Sequence, residues 1–297
     1  MTEPMTLGRA LAGARKKLTE AGIGDAARDA RLLVEAATGT GRLDAIARPD
    51  MPVDEAAAGR IEVCVARRAA GEPVHRILGG RSFHGLDLAL NADTLEPRDD
   101  SEAMVGLALD LFRANPGGAA TILDLGTGTG AIGLALLAEW PHARAHGVDI
   151  AKGAVEAAIA NAANAGLAAR FSASVSDWFA AVAGRYDLIV SNPPYIASGA
   201  IGALDREVRE HDPRRALDGG GDGLDAYRII AAGAAAHLAE GGVVAVETGF
   251  DQREAVTAIF TARGFDLRGS ARDLGGRDRA LAFRAANKPL GISGECV

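Results

Sequence analysis

The sequence predicts an α/β protein in which a small helical bundle precedes a mostly parallel sheet. Residues 1–75 show apolar spacing typical of helices and no strand pattern. From Thr121 onward, short apolar runs alternate with helical segments, which is the signature of a parallel sheet. The apolar run 186–190 stops just before Pro193 and Pro194, and proline cannot donate to a strand ladder. This strand is therefore expected to end in a rigid loop, at the edge where α/β sheets bind ligands.

The N-terminal bundle, residues 1–75, is predicted to contain three main helices. The first has an apolar face that begins at Leu7, and Thr6 is expected as its N-cap. The second and third are predicted at 25–37 and 54–70, each followed by glycine. We expect this bundle to hold a partner and not to carry out the chemistry.

Partial alternation within residues 76–95 predicts a β-hairpin linker to a second domain, residues 96–285. The tail, residues 286–297, has no periodicity and is expected to be disordered. In the second domain, strands are predicted at 121–125, up to 149, 169–175, 186–190, 243–247, 266–272 and 279–284, with helices between them.

Two further segments of the second domain look functional. Residues 96–102 place Arg98 among four acidic residues ahead of a helical pattern, and we expect a lid there, with Ser101 or Asp100 capping the helix. Residues 196–223 are rich in charge and glycine and form an irregular stretch, which is uncommon at this length unless it is functional or mobile.

Composition excludes several classes of protein. The chain has 297 residues, 48% of them hydrophobic, but no run as long as the roughly 20 apolar residues of a membrane span. Its N-terminus lacks a signal-peptide layout, so a cytoplasmic location without membrane contact is expected. Cys64 and Cys296 are too few for a disulfide frame or a metal site. A net charge of −7 argues against a broad grip on nucleic acid.

A glycine-rich stretch follows the first predicted strand of the sheet. Gly128, Gly130 and Gly133 fit the G-x-G-x-x-G pattern of dinucleotide sites, but alone that match is weak. Asp124 stands just before this turn, where a carboxylate attracts the ammonium of a methionine moiety and repels a pyrophosphate. The stretch therefore favours S-adenosylmethionine over NAD.

Polar residues also end the next two predicted strands. Asp149 can accept hydrogen bonds from both ribose hydroxyls of either cofactor. Asp177 can accept from an adenine amino group, and Trp178 offers a ring or a backbone edge beside it. Each acid alone could be a helix cap, but their positions at successive strand ends indicate contact with a cofactor.

The stretch Asn192-Pro193-Pro194-Tyr195 presents hydrogen-bond acceptors at the end of a strand. A planar amide or aromatic amine is a poor nucleophile because its lone pair is delocalised. The Asn192 side-chain oxygen and the Pro193 carbonyl can grip its N–H groups and stabilise developing positive charge. Tyr195 can pack against the planar group. The loop therefore predicts methyl transfer to a planar nitrogen.

These motifs resemble those of known methyltransferases. The stretches Gly126-Thr127-Gly128-Thr129-Gly130 and Asn192-Pro193-Pro194-Tyr195 are similar to class I S-adenosylmethionine-dependent methyltransferases acting on planar nitrogen. That pair alone leaves amino methyltransferases of DNA and RNA open. Further stretches resemble the HemK/PrmC family of release factor glutamine methyltransferases: Gly71-Glu72-Pro73-Val74, Ile77-Leu78-Gly79, Phe83, Gly85-Leu86, Arg98-Asp99-Asp100-Ser101-Glu102, Glu207-Val208, Pro213-Arg214, Ala216-Leu217-Asp218-Gly219-Gly220, Asp273-Leu274 and Gly276-Arg277-Asp278-Arg279. Asp99 departs from the pattern, since the family usually has proline there.

The resemblance implies a class I methyltransferase with a mostly parallel, seven-stranded, Rossmann-like sheet. It implies N5-methylation of the Gly-Gly-Gln glutamine of peptide chain release factors, with S-adenosylhomocysteine as product and no direct contact with nucleic acid. The implied site residues fall into two groups. Gly126, Thr127, Gly128, Thr129, Gly130, Asp149, Asp177, Trp178 and Asn192 would bind the cofactor, while Asn192, Pro193, Pro194 and Tyr195 would hold the glutamine, with Asn192, Pro193 and Tyr195 catalytic and no metal involved.

Three alternatives stay open at this point. They are a nucleic-acid amino methyltransferase, a non-catalytic module that keeps the cofactor fold, and, as the weakest, an NAD-dependent dehydrogenase.

Overall fold

A computed structural model describes residues 4–112 and 120–286, which group into two compact units. The first unit contains the residues up to Arg81 together with Asp205–His211. The second contains Ser82–Leu204 and the residues from Asp212 onward. The first unit is thus assembled from two stretches that lie far apart in the sequence.

The α-helices of the described residues are α1 (Leu7–Glu20), α2 (Ala26–Thr38), α3 (Asp44–Ala47), α4 (Glu55–Ala69), α5 (Val74–Leu78), α6 (Glu102–Phe112), α7 (Ala131–Glu139), α8 (Lys152–Asn164), α9 (Arg206–His211), α10 (Asp225–His237) and α11 (Arg253–Ala262). The strands are β1 (Gly80–Phe83), β2 (Leu86–Ala89), β3 (Thr121–Leu125), β4 (Arg144–Asp149), β5 (Phe171–Val175), β6 (Tyr186–Ser191), β7 (Leu238–Glu247), β8 (Phe265–Arg272) and β9 (Asp278–Ala285).

The first unit is helical, and its helices begin and end for local reasons. The Thr6 side chain accepts a hydrogen bond from the Arg9 amide at 3.4 Å, which confirms it as the N-cap of α1. Asp54 accepts from the Ala57 amide at 2.6 Å and caps α4 in the same way. Gly39 ends α2 in the left-handed conformation that glycine adopts at no steric cost. The three helices predicted from apolar spacing are confirmed as α1, α2 and α4.

A buried ion cluster joins the two stretches of the first unit. Arg68 of α4 is 5% exposed, and its Nε donates to Asp29 of α2 at 2.6 Å. Its Nη2 donates to Glu207 of α9 at 2.5 Å. A buried guanidinium needs such partners because an uncompensated charge is costly away from water. The cluster therefore fixes α9 to the N-terminal helices.

The second unit is built on a seven-stranded sheet in the order β5-β4-β3-β6-β7-β9-β8. Strands β3 to β7 are parallel, whereas β9 is antiparallel to both β7 and β8. The mostly parallel seven-stranded sheet of a class I methyltransferase is thereby confirmed. The strand order reverses between β3 and β6, and crevices at such switch points bind ligands in α/β sheets.

Both faces of the central strands of this sheet are buried. In β3, Ile122 packs with α6, α7 and α8, while Leu123 packs on the opposite face with α10 and α11. In β6, Leu188 lies on the same face as Ile122, and Ile189 lies on the same face as Leu123. Burial on both faces explains why these strands are continuous apolar runs in the sequence.

Ser101 or Asp100 was expected to cap α6. Ser101 directly precedes α6, at the end of a 3₁₀ turn formed by Asp99–Ser101, and the cap stays a prediction. The Ser101 hydroxyl accepts from the Asn192 Nδ2 at 3.3 Å. The tail expected to be disordered lies, apart from Ala286, outside the described residues. Within the described part of the chain, the helices are too short or too polar for any of them to traverse a bilayer.

Candidate active site

A cavity of about 600 Å³ lies where the parallel strands of the second unit end. Its volume falls within the range of ligand pockets in proteins. The residues predicted from sequence that line it are Gly126, Thr127, Gly128, Thr129, Asp149, Asp177, Trp178, Asn192 and Pro194. Gly130, Pro193 and Tyr195 do not line the cavity, although each adjoins a residue that does.

The glycine turn, residues 126–130, has backbone conformations that require glycine. Gly126, Gly128 and Gly130 have φ angles of 70°, 55° and 83°. A Cβ at Gly126 or Gly128 would meet no protein atom, so the space above them is open for a ligand. A Cβ at Gly130 would lie 3.1 Å from Leu134 and 3.3 Å from Ala158, so this glycine serves helix packing.

Asp124 supports the glycine turn from below. Its Oδ2 accepts from the Thr127 hydroxyl at 2.8 Å and from the Gly133 amide at 3.2 Å. The side chain is 1% exposed and does not line the cavity, although sequence reasoning aimed it at a cofactor ammonium. Burial raises the pKa of Asp124 to about 6, against the lowering effect of the two hydrogen bonds. In this structure Asp124 shapes the turn.

Asp149 ties the glycine turn to the end of β4. Its Oδ2 accepts from the Gly128 amide at 3.0 Å and its Oδ1 from the Ala151 amide at 2.9 Å. Burial raises the pKa of Asp149, and the two backbone hydrogen bonds oppose that shift. Each carboxylate oxygen keeps a second lone pair, so Asp149 can still accept from a hydroxyl in the cavity that it lines.

The turn after β5 depends on Ser176, which sequence reasoning missed. The buried Ser176 hydroxyl donates to the Trp178 carbonyl at 2.8 Å and accepts from the Ala181 amide at 3.0 Å. Trp178 is held at a φ of 48°, which is rare outside glycine. This turn directs Asp177 and Trp178 to the cavity.

The acceptor loop, Asn192 to Tyr195, is held by residues from three other parts of the second unit. The Asn192 Nδ2 donates to the Ser101 hydroxyl at 3.3 Å. The Gln252 Nε2 donates to the Tyr195 carbonyl at 2.9 Å. A Cβ at Gly219 would lie 2.7 Å from the Pro194 carbonyl oxygen, so the backbone at that position approaches the loop as only glycine allows.

The segment 196–223 folds back on itself directly after the acceptor loop. The Ile196 amide donates to the Leu217 carbonyl at 2.9 Å, and the Gly219 amide donates to the Ile196 carbonyl at 2.8 Å. Arg215 of this segment lies 3.8 Å from Asp93, and both residues line the cavity. This segment therefore contributes one wall of the site.

A buried carboxylate ends β7 close to the acceptor loop. Glu247 is 2% exposed, and burial raises its pKa to about 7, while a hydrogen bond with Ser101 and the charge of Arg279 oppose the rise. Burial also raises the pKa of Tyr195, and the Glu247 charge raises it further. Sequence reasoning missed Glu247 because a single acid at a strand end gives no motif.

Other lining residues were also missed. The residues Gly219 and Gly220 were quoted only for their resemblance, although a pair of glycines signals a close backbone approach. Asp93 and Leu95, from the chain after the hairpin, carry no such signal, whereas Pro97 lies in the segment 96–102 that was expected to form a lid. The remaining lining residues that were not predicted individually are Ser101, Ala131, Ile132, Val148, Ile150, Ser198, Arg215, Ala216, Asp218, Asp225, Ala226 and Ile229.

Two family models match this chain. Residues 9–79 match the PrmC N-terminal domain, and residues 106–247 match the methyltransferase small domain. Together they match part of each unit.

Curated relatives match along nearly the whole chain. It is 52% identical to the release factor glutamine methyltransferase of Agrobacterium fabrum over 94% of this chain and 97% of that protein. It is 48% identical to the enzyme of the same name from Rhodospirillum rubrum, over 96% and 87% of the two chains. The corresponding enzyme of Cereibacter sphaeroides is 46% identical over 93% and 97%. The chain belongs to the HemK/PrmC family of release factor glutamine methyltransferases.

Proposed function

We propose that this chain transfers a methyl group from S-adenosylmethionine to the side-chain N5 of the Gly-Gly-Gln glutamine of peptide chain release factors. The observation that carries the proposal is the acceptor loop at the mouth of the cavity, with the Asn192 amide held by Ser101 at 3.3 Å. Family membership supports the choice of a protein glutamine over a nucleic-acid base.

The cavity suits a nucleoside–amino-acid cofactor. The open space above Gly126 and Gly128 admits a ligand close to the backbone, and Asp149 can accept from ribose hydroxyls. Asp177 and Trp178 can contact the adenine. When bound, S-adenosylmethionine supplies a methyl group on a positively charged sulfur, which needs no further activation.

In the proposed reaction the protein positions the glutamine amide. The Asn192 side-chain oxygen and the Pro193 carbonyl accept from its two N–H groups, which brings the nitrogen about 3 Å from the methyl carbon. As the N–C bond forms and the C–S bond breaks, these acceptors stabilise positive charge on the nitrogen. That nitrogen then loses one proton to water, because the cationic amide formed by N-methylation is strongly acidic. N5-methylglutamine and S-adenosylhomocysteine remain.

The first unit is proposed to help dock the release factor. Its match to the PrmC N-terminal domain supports this role. Since release factors act in translation termination, we expect the reaction in the cytoplasm.

The test is a labelling experiment with radioactive S-adenosylmethionine. A release factor is compared with its variant in which the glutamine of Gly-Gly-Gln is replaced by alanine, and DNA and bulk RNA are assayed in parallel. We expect label only on the release factor that keeps the glutamine of Gly-Gly-Gln. Equal label on both factors would contradict methylation of the Gly-Gly-Gln glutamine. Label on DNA or RNA alone would indicate a nucleic-acid amino methyltransferase.

A further inference from the structure

Arg279 is a buried arginine at the start of β9 that has no part in the methyl transfer described above. It is 7% exposed. Its carbonyl accepts from the Thr248 amide at 2.8 Å, which places it beside the end of β7. A buried guanidinium costs free energy unless carboxylates compensate its charge. The partners of Arg279 therefore indicate what it does.

The turn between β8 and β9 fixes the Arg279 side chain. The Arg279 Nη2 donates to Asp273 Oδ2 at 3.0 Å. The other oxygen of the same carboxylate, Asp273 Oδ1, accepts from the Arg277 amide at 3.0 Å. The Asp273 carbonyl accepts from the Gly276 amide at 2.9 Å, so the turn holds this aspartate by its backbone as well. Arg279 is thus anchored at this edge of the sheet.

The same nitrogen of Arg279 also contacts Asp100. The Arg279 Nη2 lies 3.2 Å from Asp100 Oδ2, and Asp100 belongs to the 3₁₀ turn Asp99–Ser101 directly ahead of α6. The Asp100 side chain is 48% exposed, and an ion pair between two mobile surface side chains contributes little. Here Arg279 is already immobilised by burial and by Asp273, so the ion pair orders only one further side chain.

Ser101 follows Asp100 in the chain and contacts the acceptor loop. The buried Ser101 hydroxyl accepts from the Asn192 Nδ2 at 3.3 Å. With Nδ2 engaged by Ser101, Oδ1 is the atom of the amide left to accept an N–H of the substrate. Because Asp100 and Ser101 are consecutive, a shift of the turn moves this hydroxyl away from the amide. Each step from Arg279 to Asn192 is therefore a contact of 3.3 Å or less or a peptide bond.

We propose that Arg279 is a positioning residue for Asn192. It holds Asp100 and so keeps the Ser101 hydroxyl within reach of the Asn192 amide, whose oxygen then faces the substrate nitrogen. The proposal rests on the proposed function, because the position of this amide affects the rate only if Asn192 grips an N–H group. Neither Arg279 nor Asp100 lines the cavity, so both act on the reaction from outside it.

The test compares Arg279→Ala, Asp100→Ala, Ser101→Ala and the double variant that combines Asp100→Ala with Ser101→Ala. All are made in the full-length protein and assayed with a release factor as substrate. We expect kcat to fall about 3- to 10-fold in each single variant, the usual effect of losing one intramolecular hydrogen bond. The Kd for S-adenosylmethionine, measured by calorimetry, should stay close to that of the wild type.

The double variant separates positioning from general destabilisation. If Asp100 acts on Asn192 only through Ser101, its removal has no further effect once the hydroxyl is gone. The kcat of the double variant should therefore equal that of Ser101→Ala. If Asp100 only stabilised the fold, the two losses would be independent and would multiply.

Arg272→Ala is the matched control at the same end of the sheet. The Arg272 Nε lies 3.3 Å from Asp278, and this ion pair joins β8 to β9. Asp278 keeps a second partner, Arg253, at 3.1 Å when Arg272 is removed. The control therefore loses an arginine–aspartate pair without loosening the turn 99–101, and its kcat should equal that of the wild type.

Wild-type kcat in Asp100→Ala or in Ser101→Ala would overturn the proposal, and so would multiplied losses in the double variant. If Arg279→Ala fails to fold, Asp100→Ala carries the test, because its side chain is half-exposed and its removal leaves Arg279 paired with Asp273. Absence of any methylation by the wild-type enzyme would instead refute the proposed function, so the two failures are distinguishable.

Discussion

The glycine turn and the acceptor loop follow neighbouring strands of one sheet, yet they are held in different ways. The glycine turn is supported by Asp124 and Asp149, which lie within 21 residues of the amides and hydroxyl they bind. The acceptor loop depends on Ser101, 91 residues earlier, and on Gln252, 57 residues later. The turn is therefore held by nearby residues, whereas the conformation of the loop depends on distant parts of the second unit.

The largest expected effect separates the two regions directly. Asn192→Ala removes the acceptor for the substrate N–H but leaves the glycine turn intact. We expect kcat to fall about 10²- to 10³-fold, the usual loss when one group that stabilises the transition state is removed. Steady-state kinetics would measure this loss, and titration calorimetry should give a Kd for S-adenosylmethionine close to that of the wild type. A large loss of cofactor affinity would show that the two regions are not independent.

The next effect concerns stability at the glycine turn. Because burial raises the pKa of Asp124 from 3.8 to about 6, the folded state holds this proton more tightly than the unfolded state. The stability that this proton contributes is present at low pH and lost as the pH rises through about 6. The difference corresponds to roughly 3 kcal/mol.

Asp124→Asn removes this titration. Denaturant unfolding of the wild type and the variant between pH 4 and 7 would measure it. The free energy of unfolding of the wild type should fall relative to that of Asp124→Asn as the pH rises, and parallel curves would contradict the prediction.

A smaller effect is expected where the segment 196–223 meets the acceptor loop. The Cβ of Gly219→Ala would lie 2.7 Å from the Pro194 carbonyl oxygen and 2.9 Å from the Tyr195 Cα, so backbone must move. We expect a loss of about 1–3 kcal/mol in the free energy of unfolding and a reduced kcat. Gly221→Ala is the matched control in the same segment, because its Cβ would meet no atom within 4 Å. Equal stability of the two variants would show that the loop does not depend on this contact.

The smallest effect is expected at the rim of the cavity. Arg215 and Asp93 lie 3.8 Å apart and are 57% and 41% exposed, and such pairs contribute little. Arg215→Ala should weaken binding of S-adenosylmethionine by no more than about fivefold, as measured by calorimetry. Arg268→Ala, which breaks the exposed pair with Asp266, should have no effect on binding. A tenfold or greater loss in Arg215→Ala would mean that this wall of the site holds the cofactor directly.

The same contrast explains what could be predicted from the sequence. Strand β3, the glycine turn and the helix that follows are encoded within a few residues, so apolar spacing and glycine pattern locate them. Ser101 was predicted as a helix cap because it precedes an apolar helical pattern. Its hydrogen bond with Asn192, 91 residues away, leaves no local pattern in the sequence. Ser176 was missed for a different reason. Its hydrogen bonds stabilise Trp178 in a left-handed backbone conformation that glycine would ordinarily adopt.

The segment 205–211 belongs with the N-terminal helices, although it is encoded in the middle of the second unit. This interleaving limits how the gene can be rearranged. A crossover after codon 81 would replace Arg68, the partner of Glu207, with a residue from a foreign N-terminal segment. The two units are therefore expected to be inherited together, and a chimera between distant relatives should exchange residues 205–211 along with the first 81.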